Sequence, residues 1–356
     1  MESSNQVGRL STRSMLYQEV VTKPTVRSLR LQHRIGGDTA TELFSALRAS
    51  NCLKSLHVEG ILQDKSDADR KLLRQWLTWA IFSRQAAHKI QFVSLSDWWL
   101  TFDDVKAVEE LLNASDPMLL LNGTPSDNNM TEIPASESKG SHVKGLTLRF
   151  GDVETTKADS AATRLLVVLK HLPLVKLSVS VSESPGLSGR ALRAAWTGYP
   201  ALEELTMSCV KLTSNDDDVF ALTDCPHGLR TLQLDRLTLA THTNLMRFFK
   251  ALGDFDANPK AAALEELVLD VSVNGDRYAH SLLNDVKSML EKNDRLRCCV
   301  LRMLPMSSTE ATREVVMQRF DGQVIPMLPA ARPSRKAVKK RHLFGNGFRC
   351  TSLARS

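Results

Sequence analysis

A short apolar pattern, L-x-x-L-x-L with substitutions, recurs nine times along the chain and constrains it more than any other feature. Its positions are Val26/Leu29/Leu31, Leu53/Leu56/Val58, Ile90/Val93/Leu95, Val143/Leu146/Leu148 and Leu174/Leu177/Val179. They continue as Leu202/Leu205/Met207, Leu229/Leu232/Leu234, Leu264/Leu267/Leu269 and Leu296/Cys299/Leu301. The last two apolar positions of each copy alternate with polar ones, the period of a short strand with one buried face. Successive copies start 27 to 53 residues apart, room for a strand, a helix and their turns. A unit of that size cannot bury its apolar face alone, so neighbours must stack in register around one continuous core. A length of 356 residues would otherwise be read as about two domains. The repeat turns that reading into one body over 26–321, a short polar flank at 1–25 and a tail at 322–356.

Helix starts follow the strands at a shared phase. A Ser or Thr with an acid three residues on marks such a start, because the first N–H groups of a helix need acceptors. Thr39/Glu42, Ser66/Asp69, Thr101/Asp104, Thr156/Asp159, Ser214/Asp217 and Ser307/Glu310 lie 11 to 13 residues into their copies. Ser188, Thr241 and Asp276 are candidate lone caps. Behind the caps run apolar stripes of helical period. They comprise Leu43, Ala46 and Leu47 over 39–49, and Leu72, Leu73, Trp76, Leu77 and Ala80 over 67–85. A third holds Leu282, Leu283, Val286 and Leu290 over 277–292. Residues 308–320 are expected to form a closing helix. Residues 122–142 are almost wholly polar or small and are expected to be a flexible insertion, with Met118–Leu121 open as a degenerate extra repeat.

The strand signature followed by a helix resembles the leucine-rich repeat of the ribonuclease-inhibitor kind, over about four-fifths of the chain. The resemblance implies an α/β solenoid, a horseshoe with a parallel concave sheet and convex helices. One departure stands out. The family usually places Asn or Cys at the ninth position, where the side chain satisfies backbone groups in the turn. Here that position holds Arg34, Ile61, Trp98, Gly151, Ser182, Val210, Leu237, Ser272 and Leu304. Other residues must replace that ladder, or the curvature becomes irregular.

An enzyme is not expected. The nine histidines show no H-x-x-x-H spacing, and no P-loop or G-x-S-x-G motif is present. Neither a metal nor a cofactor is called for. Six scattered cysteines without a C-x-x-C pair fit a reducing compartment. No apolar run approaches a membrane span, and the first residues contain no apolar signal region. The expected location is cytoplasmic, nuclear or both, and not secreted.

Charge and alternation nominate the candidate sites. The net charge is +6, yet residues 332–356 hold eight Lys or Arg and no acid, leaving 38 bases against 40 acids in residues 1–331. The tail cluster Arg332, Arg335, Lys336, Lys339, Lys340 and Arg341 resembles an importin-binding nuclear localisation signal. The same charge would serve nucleic-acid contact, or merely a solvated tail. Strand alternation turns the third, fifth and seventh positions of each copy outward. Late copies thereby gather Glu204, Asp235, Glu266 and Asp270 on one face, an acidic strip for a basic protein partner or simply a solvated surface. Trp98 and Trp99 follow the third strand; one at the loop edge would be a binding anchor, two buried rings being the alternative. The expected function is a non-enzymatic protein–protein interaction scaffold, binding on the concave strands and loop edges. Alternatives are a regulator of a GTPase, a ubiquitin-ligase substrate receptor, or a nuclear nucleic-acid-associated protein using the tail.

Overall fold

A computed structural model describes residues 23–32, 37–60, 66–96, 101–115, 117–122, 141–150, 155–181, 186–213, 226–239, 243–259, 263–273, 276–305, 313–320 and 323–327. Each of the nine copies forms a strand. In chain order these are β1 Ser28–Gln32, β2 Ser55–Glu59, β3 Phe92–Ser96, β4 Gly145–Phe150 and β5 Lys176–Val181. After the two-residue β6 Leu187–Ser188 come β7 Glu204–Ser208, the short β8 Val210–Leu212, β9 Thr231–Leu239, β10 Glu266–Val273 and β11 Cys298–Pro305. The nine repeat strands pair in the order β1-β2-β3-β4-β5-β7-β9-β10-β11, every pair parallel. Equivalent positions meet: Leu29 stands opposite Leu56, Leu56 opposite Val93, and Val93 opposite Leu146. A one-residue slip would expose every buried leucine, so the apolar alternation sets the register. The chain is an α/β protein with an extended parallel sheet that does not close into a barrel, β1 forming one edge.

The helices cover the apolar face. They are α1 Gly37–Arg48, α2 Asp67–Phe82, α3 Phe102–Asn113, α4 Pro117–Asn122, α5 Thr155–Val168, α6 Gly189–Gly198, α7 Thr243–Leu252 and α8 Asp276–Lys292. Contacts run from α1 to α2, α2 to α3, α3 to α5, α5 to α6 and α7 to α8, the pattern of one layer. Ser66 caps α2 by accepting from the Asp69 N–H at 3.2 Å, Thr101 and Asp104 form a reciprocal box at the start of α3, and Ser188 caps α6. Asp276 is the first residue of α8. α1 and α5 begin earlier than Thr39 and Thr156, at Gly37 and Thr155. Asp159 is used across units instead, accepting the Ser188 N–H at 2.7 Å. Ser214, Thr241 and Ser307 lie outside the described residues. The α2 stripe is also shifted from its expected position. Leu72 is 36% exposed, while Trp79 is buried beside Leu73, Trp76, Leu77 and Ala80, its ring edge-on to Trp76 at 5.4 Å.

The end of the body departs from expectation. Residues 313–320 form a strand, β12 Arg313–Phe320, antiparallel to β11, with β13 Gln323–Met327 antiparallel beyond it. Two physical causes favour this over a helix. Val315 and Val316 are β-branched, and the open edge of β11 offers unpaired backbone groups. The body therefore extends past 321 into the segment assigned to the tail. Met118–Leu121 lies in α4, and β3 pairs directly with β4, so the long interval adds no strand. Residues 123–140 of the expected insertion lie outside the described residues. Its last part is structural, since Ser141 is buried and donates to the Ile81 carbonyl at 3.0 Å.

Ser141 belongs to a set of polar side chains that bond helix-end carbonyls just ahead of the strands. Two or three residues before the first motif position, a polar side chain closes the helix-to-strand turn. His88 Nε2 meets the Ile81 carbonyl at 2.8 Å, His171 Nε2 the Phe82 carbonyl at 2.8 Å and the Tyr199 hydroxyl the Leu166 carbonyl at 2.8 Å. The Asn293 amide donates to the Leu252 carbonyl at 2.8 Å. These acceptors are the carbonyls left over at helix C-termini.

His88 is the member of this set whose protonation should couple to stability. Burial pushes its imidazole below the ordinary 6.5, an effect opposed by the bond to Ile81 and reinforced by nearby His142. The unfolded chain then takes up this proton more readily than the folded one. The contribution to stability is full above about pH 6.5 and is lost as pH falls from there through the folded value. A His88→Gln variant should lose less of its thermal midpoint than the wild type between about pH 7.5 and pH 5.5. Equal losses would show that His88 does not carry this dependence.

Candidate functional site

The sheet face opposite the helices carries the outward positions in three aligned rows. The middle row crosses β1 to β9 as Arg30, His57, Ser94, Thr147, Ser178, Thr206 and Gln233. Adjacent strands stand roughly 4.8 Å apart, so Ser94, Thr147, Ser178 and Thr206 give four hydroxyls at that spacing. Left-handed backbone recurs at the eighth position, where the outward rows end: Gly60, Cys209 and Arg236 have φ of 66°, 59° and 56°. Cys209 is held there by its backbone, its N–H donating to Asp235 and its carbonyl accepting from Leu187, both at 2.7 Å.

Near the middle of this face lies a depression of about 230 Å³, walled by Phe92, His57, Lys176 and Glu204 and floored by the hydroxyl row. Phe92 is 44% exposed and stands opposite Gly145 in register. A Cβ on Gly145 would lie 2.6 Å from Phe92 Cδ1, so glycine there is what lets the ring lie over the neighbouring strand. Lys176 and Glu204, opposite each other on β5 and β7, form an ion pair at the rim. An exposed ring, a charge pair and a row of hydroxyls can hold a partner's apolar side chain and its flanking polar groups.

The four acids named from the sequence share this face, but they are not an unopposed strip. Glu204 pairs with Lys176, Asp270 with Arg302 at 3.2 Å, and Asp235 accepts from Gln233 at 3.0 Å and from Ser208 at 3.4 Å. Glu266 stands opposite Thr231 and Cys298 and makes no ion pair with a described residue. At the other end, Glu59 binds Arg30 at 2.7 Å and Gln32 at 2.9 Å, which holds its carboxyl below the usual range. The face therefore reads as alternating charge.

Trp98, Trp99 and the tail residues Arg332, Arg335, Lys336, Lys339, Lys340 and Arg341 lie outside the described residues. Cys299 is buried, and desolvation pushes its thiol up to about 12, which leaves it inert as a nucleophile at neutral pH. Among the described residues no group of three or more His, Cys, Asp or Glu is arranged to hold a metal ion, and no helix is long and apolar enough to cross a membrane. Sequence reasoning turned Phe92 outward but did not single it out. Its importance depends on Gly145, 53 residues away in the chain and adjacent only once β3 and β4 pair. Comparison with protein-family models and with curated proteins finds no match.

Proposed function

We propose that the chain is a leucine-rich repeat solenoid of the ribonuclease-inhibitor-like kind, serving as a non-enzymatic scaffold that binds a protein partner on its exposed strand face. The supporting observation is the face itself, with outward side chains in register across nine parallel strands and an exposed aromatic ring seated over a glycine near its middle. Such a surface offers contact area and hydrogen bonds in ordered rows. Its alternating charge favours a partner of mixed charge over a purely basic one, because electrostatic complementarity selects partners more than it adds affinity.

The test is partner capture from cell extract with the wild-type chain and identification of what is bound, followed by affinity measurement on purified components. Truncating a central aromatic anchor removes about 2 kcal/mol or more, so Phe92→Ala should weaken binding by about 30-fold. Gly145→Val, which forces the ring off its neighbour, should weaken it in the same direction. Unchanged affinity in both variants, with the fold intact by circular dichroism, would remove this face as the binding surface.

A further inference from the structure

We propose that the groove between α7 and α8 docks an acidic amphipathic helix of a partner protein. The space between the two helices measures about 540 Å³, ample for several apolar side chains. Its apolar lining is Met246, 36% exposed, with Phe249 and Met289 buried beneath it. Arg247 and Lys250 on α7 and Lys292 on α8 stand around it, all exposed. None of the three forms an ion pair with a described residue. An apolar floor within a basic rim matches a helix with apolar residues at i, i+3, i+4 and i+7 and acids beside them.

Two features choose among guests. A nucleic-acid backbone would satisfy the bases but has no use for the exposed Met246. The chain's own tail carries eight bases and no acid from Arg332 on, so the rim repels it. This groove belongs to the helical layer, so its failure leaves the strand-face proposal untouched.

The test uses the full chain and a fluorescein-labelled peptide of about 16 residues, with leucines at helical spacing and glutamates elsewhere. Controls are the same peptide with lysines for glutamates, and a labelled single-stranded DNA. Saturable binding of the acidic helix at low salt is expected, with the lysine peptide at least about tenfold weaker. The double variant Lys250→Glu/Lys292→Glu should weaken acidic-helix binding by about tenfold, since two exposed charge contacts become repulsive. The tail is present in both proteins, so its own attraction cancels in the comparison. No saturable binding, or affinity unchanged by the reversals, overturns the proposal. So does DNA binding that the reversals abolish while the peptide is unaffected. Self-association in sedimentation that the same reversals undo overturns it too, and makes the groove an interface between copies.

Discussion

Replacing Asp104 by Ala should destabilise the fold by about 3–5 kcal/mol, the cost of breaking a buried ion pair from one side. The carboxylate oxygen Oδ2 accepts from Arg74 at 2.7 Å, from the Thr101 N–H at 2.8 Å and from the Thr101 hydroxyl at 2.8 Å. The Thr101 hydroxyl in turn accepts from the Asp104 N–H at 3.1 Å. One side chain thus starts α3 and fastens it to α2. The Arg74 and Asp104 side chains are only 8% and 11% exposed, so solvent does little to replace the lost partner. Urea denaturation followed by circular dichroism gives the free energy. Combining Arg74→Met with Asp104→Ala removes both charges, so the double variant should be less destabilised than the sum of the two single changes. A loss under about 1 kcal/mol for Asp104→Ala would mean that the pair acts as an exposed one.

Half of that arrangement was legible in the sequence. Thr101 and Asp104 carry the three-residue spacing of a capping box, which local backbone chemistry dictates. Arg74 was not legible as a partner, because a charged residue beside an apolar stripe reads as a solvated face until the next helix covers it. The same division runs through the whole molecule. Strand positions and register followed from the apolar alternation, which is a local property repeated nine times. The pairs Lys176–Glu204 and Asp270–Arg302 occupy equal positions in adjacent copies, so they emerge as soon as copies are aligned. Phe92 over Gly145 depends on a side chain's absence in a neighbouring strand, for which a linear pattern has no symbol. The end of the body was misread for a related reason. A Ser/Glu spacing at 307–310 suggested a helix, but the edge of β11 competes for the same residues and draws Arg313–Phe320 into the sheet.

The polar residues that close the turns ahead of the strands were not legible in the sequence, and one of them yields the second strong prediction. Asn293→Leu should cost about 3 kcal/mol or more. Asn293 is fully buried. Its Oδ1 accepts from Leu296 at 2.8 Å and from Arg295 at 3.0 Å, and its Nδ2 donates to the Leu252 carbonyl at 2.8 Å. A leucine of similar volume keeps the packing and removes all three bonds. The Leu252 carbonyl at the end of α7 and the Leu296 N–H leading into β11 then lie buried without these partners, at about 1–3 kcal/mol each. Arg295 is exposed, so water can reach its N–H. Leu237 sits at the ninth position of its copy and is wholly buried, with no polar group to share the task. The turn before the strand is where Ser141, Tyr199 and Asn293 each tie one unit to the unit before it, and Asn293 joins the ends of α7 and α8. A chemical-denaturation loss below about 1 kcal/mol would show that water replaces the amide, and the polar residues ahead of the other strands would lose their standing as structural ties.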